Sequence, residues 1–281
     1  MTLALETGAA YPACMLSYQH AYHAGNLADV HKHAALAWAL DYMMKKPKPL
    51  TYIETHAGRA LYDLGGAEAR KTGEAAQGVA RMLEQVPATH PYRVAVEKVR
   101  ADHGPEAYPG SPLIAQTLLR DDDRLHLAEL HPQEHAALRT SLRNRTTQIY
   151  NQDGFELALS LTPPEPRRGL MLIDPSWEVK SDYVTVPRTV QSIAARWNVG
   201  IIMIWYPILT EKPHLPMIRT LQSAFPDALT HEVAFPPARE GHRMVGSGLF
   251  VTNPPWGLEA ELQHLSGSLF SDRKPPRRGG R

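Results

Sequence analysis

A single cysteine, Cys14, stands in the 281 residues, so no internal disulfide can form and no cysteine pair is present to build a zinc site. Long apolar runs are missing as well. None approaches the ~20 residues that a membrane-spanning helix needs, and the reading is of a soluble, globular chain with no membrane partner. An excess of either charge is also lacking, with 30 Lys and Arg against 29 Asp and Glu. Any polyanion must therefore be held by local patches and not by the field of the whole molecule. The first 14 residues contain Glu6 and no basic residue. They lack the basic start and long apolar stretch of a secretory signal, and a cytoplasmic protein is expected.

Hydrophobic residues make up 43% of the chain, enough for one large core. Short apolar runs that end in turn or polar residues predict strands over Leu50–Thr55, Arg124–Leu130, Gln148–Asn151, Gly169–Ile173, Gly200–Trp205 and Gly248–Thr252. Helical patterns lie between them, over Asp29–Lys45, Ser111–Arg120, Pro132–Asn144 and Val184–Trp197. This alternation predicts a doubly wound α/β sheet. The first two strands are separated by more chain than a tight βαβ unit requires, and Thr72–Asp102 reads as helical. A small helical insertion at about 65–105 follows. Three basic clusters stand out: Lys45, Lys46 and Lys48; Arg139, Arg143 and Arg145; and Arg273, Lys274, Arg277, Arg278 and Arg281.

In an open α/β sheet, ligands sit beyond the carboxyl ends of the strands. Four such ends carry informative residues here: Glu54-Thr55-His56-Ala57-Gly58, then Glu129, then Asp153-Gly154, then Asp174-Pro175-Ser176-Trp177. A nucleoside cofactor needs these parts in this order. A glycine turn lets the backbone approach it, an acid one strand later accepts from the ribose hydroxyls, and a further acid binds the adenine amine. The fourth strand end then faces the reacting centre. Asp174-Pro175-Ser176-Trp177 resembles the Asp/Asn-Pro-Pro-aromatic motif of amino-methyltransferases, and the chemistry explains the residue types: the adenine N6 lone pair is delocalised into the ring, so the nitrogen is a poor nucleophile. Two acceptors on its hydrogens, the Asp174 carboxylate and the Pro175 carbonyl, favour a tetrahedral nitrogen. Trp177 is expected to stack on an adenine swung out of its helix or loop. Asn253-Pro254-Pro255-Trp256 fits the amino-methyltransferase pattern better by letters. Its position after the last strand assigns it to a turn.

Collinear with these ends run Met15-Leu16-Ser17-Tyr18, His23-Ala24-Gly25-Asn26, Asp29-Val30-His31-Lys32-His33, Tyr108-Pro109-Gly110-Ser111-Pro112-Leu113 and Glu129-Leu130-His131-Pro132. On these motifs the chain resembles the bacterial 23S ribosomal RNA adenine-N6 methyltransferases, whose members have also been labelled as proteins of external DNA catabolism. The resemblance implies a Rossmann-like S-adenosylmethionine-dependent methyltransferase domain over 15–262. It leaves 1–14 as an extension and 263–281 as a basic, disordered tail. It also implies that His33, His56, Ser111, Glu129, Asp153 and Gly154 contact S-adenosylmethionine, that Asp174 is the catalytic acceptor, and that Tyr18 touches the RNA. The expected substrate is 23S ribosomal RNA, free or in an assembly intermediate, and the expected state is a monomer. Where the family has Asp-Pro-Pro-Tyr, this chain has Ser176 and Trp177. Loss of the second proline frees φ and predicts a less preorganised loop.

Other readings compete. The polymer could be DNA, or the chain could be a non-catalytic nucleic-acid-binding protein of DNA uptake with a vestigial pocket. His20, His23, His31 and His33 fall close together, yet His31 and His33 point to different faces of one helix and no zinc pattern surrounds them. No metal is expected.

Overall fold

A computed structural model describes residues 19–142, 145–239 and 241–270. Tyr18, the 1–14 extension, Arg143 of the second basic cluster and the whole third cluster lie outside the described residues.

The chain enters through α1 (Leu27–Met44), whose cap is built from sequence. The Asn26 side chain accepts from the Asp29 amide at 2.9 Å, satisfying one of the orphan donors of the first turn. Small alanines at 28, 34, 35, 37 and 39 let neighbours pack on nearly every side of α1, and it is almost wholly buried. A helix enclosed in this way carries no polar stripe. After it come β1 (Thr51–Glu54), β2 (Leu61–Asp63), α2 (Ala67–Thr72), α3 (Glu74–Gln77), α4 (Val79–Met82), α5 (Pro91–His103), β3 (Ala107–Pro109) and α6 (Ser111–Leu118). Next are β4 (Arg124–Ala128), α7 (Pro132–Ser141), β5 (Thr147–Tyr150), α8 (Gly154–Leu161), β6 (Gly169–Ile173), α9 (Asp182–Arg196) and β7 (Ile201–Leu209). The chain then runs through α10 (His214–Ala224), β8 (Leu229–Ala234), β9 (Met244–Thr252) and α11 (Leu258–Leu269).

Seven strands form one sheet in the order β5-β4-β1-β6-β7-β9-β8, and β2 pairs with β3 in a separate ribbon. β1 lies between β4 and β6, parallel to both. Because the chain winds outward from β1 to β5 and then returns to β6, the carboxyl ends of β1 and β6 flank the switch point, where a crevice must open. The strand cores Tyr52-Ile53 and Leu170 to Ile173 are fully buried, as strands covered on both faces should be. β9 runs antiparallel between β7 and β8. This reverses its ends: Met244 faces the carboxyl edge of the neighbouring strands, and Asn253 emerges at the opposite edge.

The six expected strands coincide with β1, β4, β5, β6, β7 and β9 within a few residues at each end. β8 was not expected, because Leu229-Thr230-His231-Glu232-Val233-Ala234, with three polar residues in a row, shows neither a continuous apolar run nor a clean alternation, as an edge strand need not. The expected tail beginning at 263 is corrected. α11 continues to Leu269, and Leu265, Leu269 and Phe270 are buried in the cluster that also holds Val30 and Ala34 of α1. Leu258, Leu262, Leu265 and Leu269, three or four residues apart, share one helical face.

Candidate active site

A cavity of about 560 Å³ opens at the switch point. That volume is within the range of small-molecule and cofactor sites. His33, His56, Ser111, Glu129, Asp153, Gly154, Asp174, Pro175 and Trp177 all line it. The sequence spread these residues over four strand ends and two helices, and the fold brings them together.

On one side of the cavity the 55–58 turn follows β1. Gly58 has φ +63, in the region that favours glycine, and a side chain there would meet the Tyr62 hydroxyl at 2.6 Å. Its amide donates to Glu129 Oε2 at 2.8 Å, and the His131 amide donates to Glu129 Oε1 at 2.7 Å. Each carboxylate oxygen keeps a lone pair for a ligand. Burial pushes the Glu129 carboxyl up, against the two amides. Beside it Arg59 forms a bidentate pair with Glu134 at 2.9 and 2.6 Å, which ties the turn to the first turn of α7. Asp153 caps α8 by accepting from the Glu156 amide at 2.9 Å. A Cβ on Gly154 would lie 1.8 Å from the Thr55 carbonyl oxygen, so only glycine lets α8 start this close to β1.

Asp174 follows β6 on the other side of the cavity. Its Oδ2 accepts from Lys32 Nζ at 2.6 Å, and Lys32 also reaches Asp29 Oδ1 at 3.1 Å. Burial penalises the Lys32 ammonium, but Asp174 and Asp29 outweigh it and hold its pKa above the ordinary value. The ammonium lies over the Trp205 ring, 5.3 Å from its centroid, and Trp205 Nε1 donates to Ser247 Oγ at 2.8 Å. Lys32, Asp29 and Trp205 were not singled out as site residues by the sequence. A signal existed for each: Trp205 ends an expected strand, and Asp29 and Lys32 sit at i,i+3 on a helix.

Trp177 departs from expectation. It has φ +59 and is only 5% exposed, with its indole 4.8 Å from the Tyr183 ring and its place in the buried cluster of Val186 and Val190. The ring therefore forms a wall of the cavity and offers little free face to a base. Asn253 also has a left-handed backbone, φ +49, and its side chain donates to the carbonyls of Asn198 and Gly200 at 3.0 and 2.8 Å. It closes a turn at the sheet edge opposite the cavity. The four clustered histidines go to different partners: His20 to Asp29, His23 to Glu74, His31 to Ser247 and His231, and His33 to Tyr108.

With the geometry described, comparison with known proteins becomes informative. Residues 47–281 match the family described as Ribosomal RNA large subunit methyltransferase D, RlmJ. The chain belongs to that family. The Ribosomal RNA large subunit methyltransferase J of Escherichia coli (strain K12) is 38% identical over 93% of this chain and 95% of the relative. The protein of the same name from Haemophilus influenzae is 35% identical over 89% of this chain and 92% of the relative. A crystal structure of a Legionella pneumophila protein superposes with a TM-score of 0.78 at 32% identity, covering 88% of this chain and 94% of that one. Class I methyltransferases share this mixed α/β architecture, and membership of the RlmJ family makes S-adenosylmethionine the cofactor.

Titration of the site's histidines gives a testable consequence. Burial pushes His31 and His33 down to about 3 and His56 down to about 4, against an ordinary 6.5. The unfolded chain therefore takes up these protons first. The stability the three contribute is present above about pH 6.5 and is lost as pH falls toward 4 and 3. Glu54 runs the other way. Burial pushes it up to about 8 from 4.5, so its proton is kept on folding and its contribution fades as pH rises through that window. Three rising contributions outweigh one falling one below pH 6.5, and above it only Glu54 of these four changes. The denaturant midpoint is expected to climb from pH 4.5 to a maximum near 6.5 and then decline. A midpoint flat across pH 4.5–6.5 would contradict the buried, neutral state of these imidazoles.

Proposed function

We propose that this chain is an S-adenosylmethionine-dependent methyltransferase that acts on the exocyclic N6 of an adenine in 23S ribosomal RNA. What supports the reading is one juxtaposition. Asp174-Pro175 and the Glu129 carboxylate line one cavity at the switch point of the sheet, in a chain of the RlmJ family. The cofactor fits the groups left over there. Glu129 has lone pairs to spare, and His33 Nε2 is buried without a hydrogen-bond partner among the described residues.

When bound, S-adenosylmethionine supplies a methyl group on a positively charged sulfur. Glu129 accepts from the ribose hydroxyls, in an orientation preset by the Gly58 and His131 amides. His33, His56, Ser111, Asp153 and Gly154 complete the cofactor contacts. Asp174 and the Pro175 carbonyl would accept the two N6 hydrogens and so orient the nitrogen lone pair for methyl transfer. Lys32 fixes the Asp174 carboxylate at 2.6 Å, so little reorganisation remains for the reaction itself. After transfer the nitrogen would shed a proton, which Asp174 would take. Trp177 walls the base slot, and Tyr18 holds the RNA. The expected state is a monomer, and a ribosomal RNA substrate implies the bacterial cytoplasm.

The test is incubation with methyl-labelled cofactor and unmodified 23S ribosomal RNA, followed by nucleoside analysis. Label in N6-methyladenosine is the expected result. Label only when DNA replaces RNA, or cofactor that never binds, would overturn the reading in favour of the DNA enzyme or the non-catalytic binder respectively. Glu129→Ala is expected to weaken cofactor binding by roughly ten- to a hundredfold, the range of about 1.5–3 kcal/mol for hydrogen bonds to a charged group. Calorimetry that finds the same affinity as wild type would remove Glu129 from the cofactor site.

A further inference from the structure

Two features that stood out in the sequence, the Lys45-Lys46-Lys48 cluster and Asn253-Pro254-Pro255-Trp256, have no part in the cavity. The fold sets both at the amino edge of the sheet, because α1 ends there and antiparallel β9 delivers its carboxyl end there. Trp256 is 85% exposed, the highest value among the exposed large hydrophobics. Its neighbour Gly257 abuts Trp38, whose ring carbon lies 3.3 Å from where a Gly257 Cβ would be. Trp38 stacks on Tyr42 with centroids 5.6 Å apart and planes at 12°, and Lys45 Nζ lies over Tyr42 at 5.6 Å. The aromatic row runs straight into the lysines.

The lysine turn is built and not merely solvated. Arg120 donates to the Lys46 and Lys48 carbonyls at 3.2 and 2.7 Å, and Arg168 donates to the Lys48 carbonyl at 2.7 Å. The backbone is thus pinned from below while Lys45, Lys46 and Lys48 stay exposed, and none of the three forms an ion pair among the described residues. Exposed indole, stacked rings and unpaired ammonium groups in one row match the demands of an RNA strand, whose bases stack on aromatics while its phosphates need cations. A hydrophobic protein partner would find too much charge here, and free phosphate would leave the rings unused.

We propose that this row of Trp256, Trp38, Tyr42, Lys45, Lys46 and Lys48 is a second RNA-contact surface, which grips substrate RNA away from the target adenine. The proposal rests on the RNA methyltransferase reading. Lys32 and Lys45 stand 13 residues apart on and just past one helix, so the surface lies roughly 20 Å along α1 from Asp174. It adds affinity and register without touching the chemistry.

The test uses the full chain with Trp256→Ala, and separately with Lys45, Lys46 and Lys48 all changed to Glu. Affinity for an unmodified 23S ribosomal RNA transcript is measured across a salt series, beside cofactor affinity, melting temperature and turnover at saturating RNA. Each variant is expected to lose about tenfold or more in RNA affinity. The triple variant should also lower the salt slope by about 2, at roughly 0.7 per phosphate contact on a single strand. Cofactor affinity and turnover at saturation should stay within twofold. Unchanged RNA affinity in both variants overturns the proposal. So does a wild-type dimer in sedimentation that Trp256→Ala converts to monomer, since the face then pairs copies of this chain. If wild type binds the RNA through this surface but methylates no adenine, the functional reading fails and the surface stands.

Discussion

Asp174→Asn is expected to lower turnover by at least about a hundredfold, because a carboxamide keeps an oxygen acceptor but has neither the negative charge to face the positive charge developing on N6 nor the basicity to take its proton. Cofactor affinity should stay within about threefold, because the residues proposed to hold the cofactor's ribose and adenine, Glu129 and Asp153, lie at the ends of other strands. Asparagine is the informative replacement. Alanine would also strip the partner from Lys32, which is 4% exposed and would keep only Asp29 at 3.1 Å. Leaving a buried charge underpaired costs stability as well as rate. The contrasting variant is Asn253→Ala, which should reduce stability through the lost bonds to Asn198 and Gly200 while sparing turnover. If the Asn253 variant binds cofactor and is dead while Asp174→Asn still methylates, the assignment of the catalytic motif is wrong.

Gly154→Ala should be the most damaging small substitution in the cofactor pocket. Its methyl would sit 1.8 Å from the Thr55 carbonyl oxygen. That neighbour is backbone in a strand-end turn and cannot rotate aside. The start of α8 must move away from β1, at a cost of roughly 3 kcal/mol or more, and it carries Asp153 with it. Melting temperature and cofactor affinity are expected to fall together. A variant with both at wild-type values would mean that the close approach is not maintained in solution.

Much of the sheet was legible because parallel strands buried on both faces leave unbroken apolar runs, as Gly169 to Ile173 does. The strand ends then pointed to Glu129, Asp153 and Asp174 through topology alone. What escaped was whatever depends on tertiary contact. β8 has the mixed face of an edge strand, and α11 hid in a stretch whose basic sequel looked like tail. Lys32 sits on a helix that reads as plain core, and only the fold shows that its ammonium meets a carboxylate 142 positions away. The setting of Trp177 was hidden for a related reason. Spacing places an aromatic after Asp-Pro, but only packing against Tyr183 decides that its ring faces inward.

The chain leaves the sheet after β1 at Thr55 and comes back to the cavity wall at Ser111, where α6 begins, so both ends of the excursion open on the cavity. It is stitched shut near those ends, where the Gly110 amide donates to Ala60 O at 2.7 Å, and on its far side the Val79 amide donates to Gly25 O at 2.7 Å beside the start of α1. A ligand in the cavity therefore acts on local unfolding. The insertion cannot swing open while its two anchor points hold a bound molecule between them. Each tenfold excess of that molecule over its Kd adds about 1.4 kcal/mol to the free energy of opening. Protection of the α2 to α5 amides from exchange is accordingly expected to rise as the pocket fills.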